Sequence, residues 1–115
     1  MKWNEIQKKS AKFIARFVAK KYKYTFVTDV PGKIKENYIY IIQDGKEPDA
    51  IAFNCPCGCK KIIHLNLLKD MRPCWSFVIH KKQISLYPSI RAKSGCKSHF
   101  WVTNNKVEWS KYAGY

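Results

Sequence analysis

Three cysteines at alternate positions of one short turn, Cys55-Pro56-Cys57-Gly58-Cys59, constrain this chain more than any other feature. A second turn, Gly95-Cys96-Lys97-Ser98-His99, adds a C-x-x-H pair. Thiolates and imidazoles are the usual ligands of a tetrahedral zinc ion, commonly supplied by two tight turns that the fold brings together. Proline and glycine among the thiols let the first turn curl, so that its sulfurs converge and backbone N–H groups face them. Cys55, Cys57, Cys59, Cys96 and His99 are therefore the candidate ligands, for about four places. Spacing does not say which of Cys55, Cys57 and Cys59 ligate. Such a site would staple two distant parts of the chain.

Other uses of the sulfurs fit less well. Five cysteines cannot all pair, and neighbours as close as Cys55, Cys57 and Cys59 pair with each other only under strain. Reduced thiols are expected. Cys74, beside Trp75, reads as a core residue, while His64 and His80 read as structural or surface histidines, with His64 a reserve ligand. The C-x-C and C-x-x-H turns also resemble the loops that hold a Rieske iron–sulfur cluster, but cysteine stands where the first-loop histidine belongs. One zinc ion is the expected cofactor, ahead of iron–sulfur.

The same residues argue against catalysis. A catalytic zinc keeps an open position and usually has a carboxylate nearby, yet Asp29, Glu36, Asp44, Glu47 and Asp49 all lie outside the metal-binding turns. Neither HExxH nor H-x-E occurs, and no Ser-His-Asp arrangement or glycine-rich phosphate loop presents itself. The expectation is a binding protein and not an enzyme, with a metalloenzyme or redox protein as the weakest reading.

The length of 115 residues suits a single domain, and 46% hydrophobic with 15% aromatic residues is enough for a core. From Trp3 to about Lys21 there is no glycine or proline. Trp3, Ile6, Phe13, Ile14 and Phe17 fall at helical spacing, predicting an amphipathic helix over residues 1–23. Beyond it, "YKYTFVT" predicts a strand and "NYIYIIQDGKEPDAIAFNC" two strands around Asp44-Gly45. "KIIHLNLL" adds one strand, "CWSFVIHKKQISLYP" two joined near Lys81-Lys82, and "SHFWVTNNKVEW" a hairpin around Asn104-Asn105. Fold class is therefore expected as α+β, the helix packed on a β-rich core, residues 24–115, of Rieske-like or zinc-ribbon-like form.

Charge directs attention to partners. With 22 basic against 8 acidic residues the chain carries a net charge of +14, which favours a polyanion. Lys9, Lys12, Arg16, Lys20 and Lys23 recur on one stripe of the predicted helix, and Arg91, Lys93 and Lys97 flank the second turn. Together they are the candidate polyanion-binding residues, for nucleic acid or an acidic protein surface. The N-terminus lacks the apolar core of a secretory signal and no segment reaches membrane-spanning length, so a cytoplasmic location is expected.

Taken in order, Cys55 to Cys59, the "ISLYPSI" segment Ile84 to Ile90, "CKSHFWV" from Cys96 to Val102, and "NNKVEW" from Asn104 to Trp109 resemble one family. These are small bacterial and phage metal-binding proteins of unassigned function, sometimes encoded beside ubiquitin-like conjugation genes. The likeness covers about residues 27–109. The basic N-terminal segment stands in front of it, and Cys55-Pro56 replaces a Cys-Cys common at that turn. The resemblance implies a metal site and a protein–protein adaptor or inhibitor in a ubiquitin-like conjugation or phage-defence pathway. That is the alternative to the main expectation, a small basic zinc-stapled module engaging nucleic acid or a nucleoprotein. In the "SLYPSI" run, Leu86 and Ile90 are expected in the core and Tyr87 at the surface.

Overall fold

A computed structural model describes residues 21–92, 96 and 98–110. Eight strands account for its regular structure: β1 (Lys23–Val27), β2 (Tyr38–Ile42), β3 (Ala50–Asn54), β4 (Ile62–Asn66), β5 (Ser76–His80), β6 (Gln83–Arg91), β7 (His99–Thr103) and β8 (Lys106–Trp109). They form two four-stranded sheets, ordered β1-β2-β3-β4 and β5-β6-β7-β8. The described residues are thus all-β, which overturns the α+β expectation. Residues 1–20 of the expected helix lie outside the described part. Its last residues are extended: Lys21 bridges Lys106, and Lys23 opens β1. The alternation that begins at Tyr22 and Tyr24 suits a pleated strand, and it takes hold before the helical pattern was expected to end.

The strands follow their local chemistry. β4 alternates, with Ile63 and Leu65 buried and Ile62 and His64 exposed. β3 lies between β2 and β4, and its Ile51, Ala52 and Phe53 are completely buried. β1 and β2 run parallel, and every other pair is antiparallel. Two connections are two-residue hairpin turns in left-handed backbone. Lys81 and Lys82 sit at φ 51° and 63° between His80 and Gln83, and Asn104 and Asn105 at 49° and 71° between Thr103 and Lys106. Positive φ at both positions matches the right-handed twist of the flanking strands; asparagine tolerates it far better than lysine.

One core serves both sheets. Ile39, Ile41, Ile51, Phe53 and Leu65 from the first meet Ile84, Leu86, Ile90, Phe100 and Val102 from the second. Phe53 and Phe100 touch edge to face across this core, with centroids 6.3 Å apart. Tyr22 packs on Phe53 at 5.4 Å and donates from its hydroxyl to the Asn54 carbonyl at 2.8 Å, while its backbone N–H reaches the Asn105 carbonyl. The lead into β1 therefore ties the sheets together. Phe53 stands two residues before Cys55 and Phe100 directly follows His99. The same aromatic contact thus brings both turns into one neighbourhood.

Candidate functional site

Cys55 leaves β3 and opens a turn closed by its own N–H to the Lys61 carbonyl, 2.8 Å. Gly58 sits at φ 89°, a conformation that a side chain would strain, and Lys60 follows at 66°. This curl turns Cys55, Cys57 and Cys59 toward Cys96, in the connection between β6 and β7. All four sulfurs lie within 4.8 Å of one another. Cys55 Sγ is 3.5 Å from both Cys57 Sγ and Cys96 Sγ. A zinc–sulfur bond of about 2.3 Å implies a tetrahedral sulfur–sulfur edge of roughly 3.8 Å. The four thiols fit a metal ion of that size, with Cys55 buried and Cys59 and Cys96 at the surface.

Hydrogen bonds shape the thiols unequally. Burial raises the Cys96 thiol, but the Ser98 hydroxyl and backbone, with Cys57 and Cys55, draw it down to about 6. The Ser98 Oγ–Cys96 Sγ distance is 3.2 Å. Burial pushes Cys55 well above the usual thiol range. One thiolate is therefore ready at neutral pH, and a cation would draw the others to deprotonate.

The fifth expected ligand is elsewhere. His99 stands outside the four-sulfur group, and its Nε2 lies 2.9 Å from Ser89 Oγ. Both side chains face away from the core. On β7, Phe100 and Val102 are buried, leaving His99 and Trp101 on the outer face; on β6, Ile90 is buried between half-buried Ser89 and exposed Arg91. A register shift between Leu86 and Ile90 interrupts the β6–β7 ladder, and bulges of this kind re-aim side chains. Pro88 lies in the shifted stretch, where its missing N–H costs no ladder bond. The indole N–H of Trp75 donates to the Ser89 carbonyl at 3.3 Å, holding the serine backbone from the β5 side.

Three neighbours set the imidazole. Trp101 covers one face, with ring centroids 5.3 Å apart and 32° between planes. Arg91, directly opposite His99 in the strand register, places Nη2 3.4 Å from Nδ1. Ser89 takes Nε2. Burial, then the Arg91 charge, lowers the pKa below the usual 6.5, so the ring is neutral at physiological pH. A serine hydroxyl within hydrogen-bond reach of a neutral imidazole is the geometry of a nucleophile and its base.

A groove of about 540 Å³ begins beside Ser89, lined by Lys69, Arg72, Cys74, Trp75, Ser76, Tyr87 and Pro88. Asn66 builds its rim by donating to the carbonyls of Leu68, Met71 and Pro73. Tyr87 is half exposed, as expected, and Leu86 and Ile90 are core. Cys74 is only partly buried and borders the groove, in contrast to its expected core position.

The outer face places Ser89 and His99 together in a fold whose family can now be stated. A family model described as bacterial ubiquitination-like system serine protease (BubE) matches residues 26–110. The chain belongs to this family. The BubE match spans all eight strands except the first residues of β1, and takes in both turns and Ser89. No curated protein and no solved structure matches the chain. For a BubE member, the ubiquitination-like setting agrees with the pathway expected from the resemblance, and the description supplies a chemistry that the resemblance lacked.

Other expected residues fall into place differently. His64 and His80 are exposed, on β4 and β5, outside the sulfur group. Of the polyanion residues, Lys9, Lys12, Arg16, Lys20, Lys93 and Lys97 lie outside the described part. Lys23 and Arg91 are exposed but belong to different sheets, and Arg91 faces His99. Nothing in the site or the BubE match supports nucleic acid as partner. No helix among the described residues is long and apolar enough to cross a membrane.

Sequence reasoning missed Ser89. It read "SLYPSI" for packing and gave His99 to the metal. The two residues lie on separate strands and meet through strand register, so no local motif announces them. Ser89 follows Pro88, where the strand was expected to end, and no pairing of that strand with the one starting at His99 was read from the sequence, so the sequence offered no direct signal for the pair.

Proposed function

We propose that this chain is a serine hydrolase acting on polypeptide bonds within a ubiquitination-like system, with Ser89 as nucleophile and His99 as its base. The carrying observation is the 2.9 Å approach of Ser89 Oγ to His99 Nε2 on an open face. The family's description is consistent with it. In the acylation step Ser89 Oγ attacks the carbonyl carbon of the scissile bond and its proton passes to Nε2. The imidazolium returns that proton to the departing nitrogen or oxygen as the bond breaks. Water then attacks the acyl-serine, giving up a proton to Nε2, and releases the carboxyl product with Ser89 restored. Trp101 supports this cycle electrostatically, since an aromatic face attracts the imidazolium formed in each half.

Cys55, Cys57, Cys59 and Cys96 would hold one zinc ion, whose role is structural: four thiolates leave no open position for substrate. Through Cys96 it would fix the start of β7, and with it His99, against the turn that follows β3. This reading departs from the expectation of a binding protein, and it follows the pathway alternative and not the polyanion one.

The test is covalent labelling of the full chain with a neutral fluorophosphonate, followed by peptide mapping. Modification at Ser89, abolished in Ser89→Ala and reduced at least a hundredfold in His99→Ala, is the expected result. Labelling elsewhere, or labelling indifferent to His99, would refute the assignment.

A further inference from the structure

The imidazole between Ser89 and Arg91 has a partner of unusual sign. In Ser-His-Asp enzymes the nitrogen remote from the serine faces a carboxylate, which keeps the proton there and leaves the other nitrogen free to accept. Here that position holds a guanidinium, 3.4 Å away. A guanidinium has only donors, so contact with it requires the lone pair of Nδ1. The ring proton is then on Nε2 and points at Ser89 Oγ. In this state the pair is hydrogen-bonded but inert, because His99 donates to the hydroxyl that it should deprotonate. Moving the proton to Nδ1 would set an N–H against the guanidinium, and charging the ring would set two cations together.

Arg91 is exposed, and among the described residues no carboxylate pairs with it. Its guanidinium is therefore free to exchange Nδ1 for a stronger acceptor, and a carboxylate binds it better than a neutral nitrogen does. The surroundings favour an anion: Lys69 and Arg72 line the adjoining groove, and the whole chain carries +14. We propose that Arg91 is a latch on the Ser89–His99 pair, holding it in the unreactive tautomer until a carboxylate of the bound polypeptide draws the guanidinium away. Substrate recognition and activation of the base are then one event. The inference rests on the serine-hydrolase reading for its consequence, though the tautomer it assigns stands independently. Arg91 is a positioning residue, acting through His99.

Two measurements test it. Nitrogen-15 spectra of labelled histidine should place the His99 proton on Nε2 in the wild type and shift it toward Nδ1 in Arg91→Ala; an Nδ1-protonated wild type, or no shift, would overturn the latch. Labelling by a neutral fluorophosphonate should be at least tenfold faster in Arg91→Ala than in the wild type, and equal or slower labelling would refute it. Fluorophosphonates carrying a carboxylate should label the wild type faster than the neutral probe, a preference lost in Arg91→Ala. Two such probes, one ending in a free peptide C-terminus and one bearing a glutamate side chain on an amidated peptide, identify by their rates the source of the carboxylate. A wild type indifferent to both would overturn the release step. Absence of Ser89 labelling in every variant would instead sink the nucleophile assignment, with the tautomer measurement still deciding the latch.

Discussion

Ser98 lies between the sulfur group and the outer face. Its hydroxyl donates to Cys96 and its neighbour is His99. Because hydrogen bonds from Ser98 hold the Cys96 thiol near 6, Ser98→Ala should raise that thiol toward its ordinary range. In metal-free protein, the pH at which iodoacetamide alkylation of Cys96 is half-maximal should move up correspondingly. A second pH effect belongs to His99. On the proposed mechanism the reactive form is the neutral ring with its proton on Nδ1, and burial with Arg91 keeps the pKa of the ring below 6.5. Hydrolysis should therefore stay near its plateau as pH falls through 6.5 and decline only at more acidic values. Replacing Arg91 by alanine removes the neighbouring positive charge that lowers that pKa, so the acid limb of the rate profile should shift upward.

At the scale of elements, the hairpin turns carry opposite instructions. Asn105 accepts at Oδ1 from the Ile84 N–H at 2.7 Å and donates its own N–H to the Ile84 carbonyl at 2.8 Å, pinning the β7–β8 turn onto β6. Asn105→Ala loses the side-chain bond and retains a positive φ, costing about 1–3 kcal/mol of stability by denaturant unfolding. The β5–β6 turn has lysines at both left-handed positions. Lys82→Gly should stabilise by about 0.5–1 kcal/mol in the same assay. These turns were legible before any coordinates, because Asn-Asn and the break in alternation at Lys81-Lys82 report on local backbone. So were all eight strands, some through alternation such as that of Ile63 and Leu65, others, such as β2 and β3, as continuous apolar runs. The two-sheet arrangement was not, since nothing local distinguishes a strand that joins one sheet from a strand that joins another. Cys55, Cys57, Cys59 and Cys96 were found as a group, because metal ligands cluster in sequence on tight turns. The assignment of His99 among them rested on C-x-x-H spacing, and the register opposite Arg91 and the neighbouring Ser89 placed it differently.

At the scale of the molecule, the contacts that join the two sheets include the aromatic core around Phe53 and Phe100, the Tyr22 segment, and the sulfur group. The third would become strongest with metal bound, since metal-binding free energy is folding free energy. Removing metal with a chelator should lower the melting temperature by about 10 °C or more. Cys55→Ser should reproduce much of this loss. In circular dichroism the β signature and the melt should fall together, because the shared core unfolds as one unit.

If Ser89 and His99 act as proposed, the outer face of the second sheet has a geometric consequence for the substrate. Ser89 and His99 stand on adjacent strands with an exposed indole and an exposed guanidinium beside them, and the adjoining groove is open to one side. Among the described residues no wall closes over the Ser89–His99 pair, so on the proposed reading the bulk of the groups flanking a scissile bond is not limited there. A folded body could then approach each end, and discrimination would fall to the few side chains around the bond and not to a sieve.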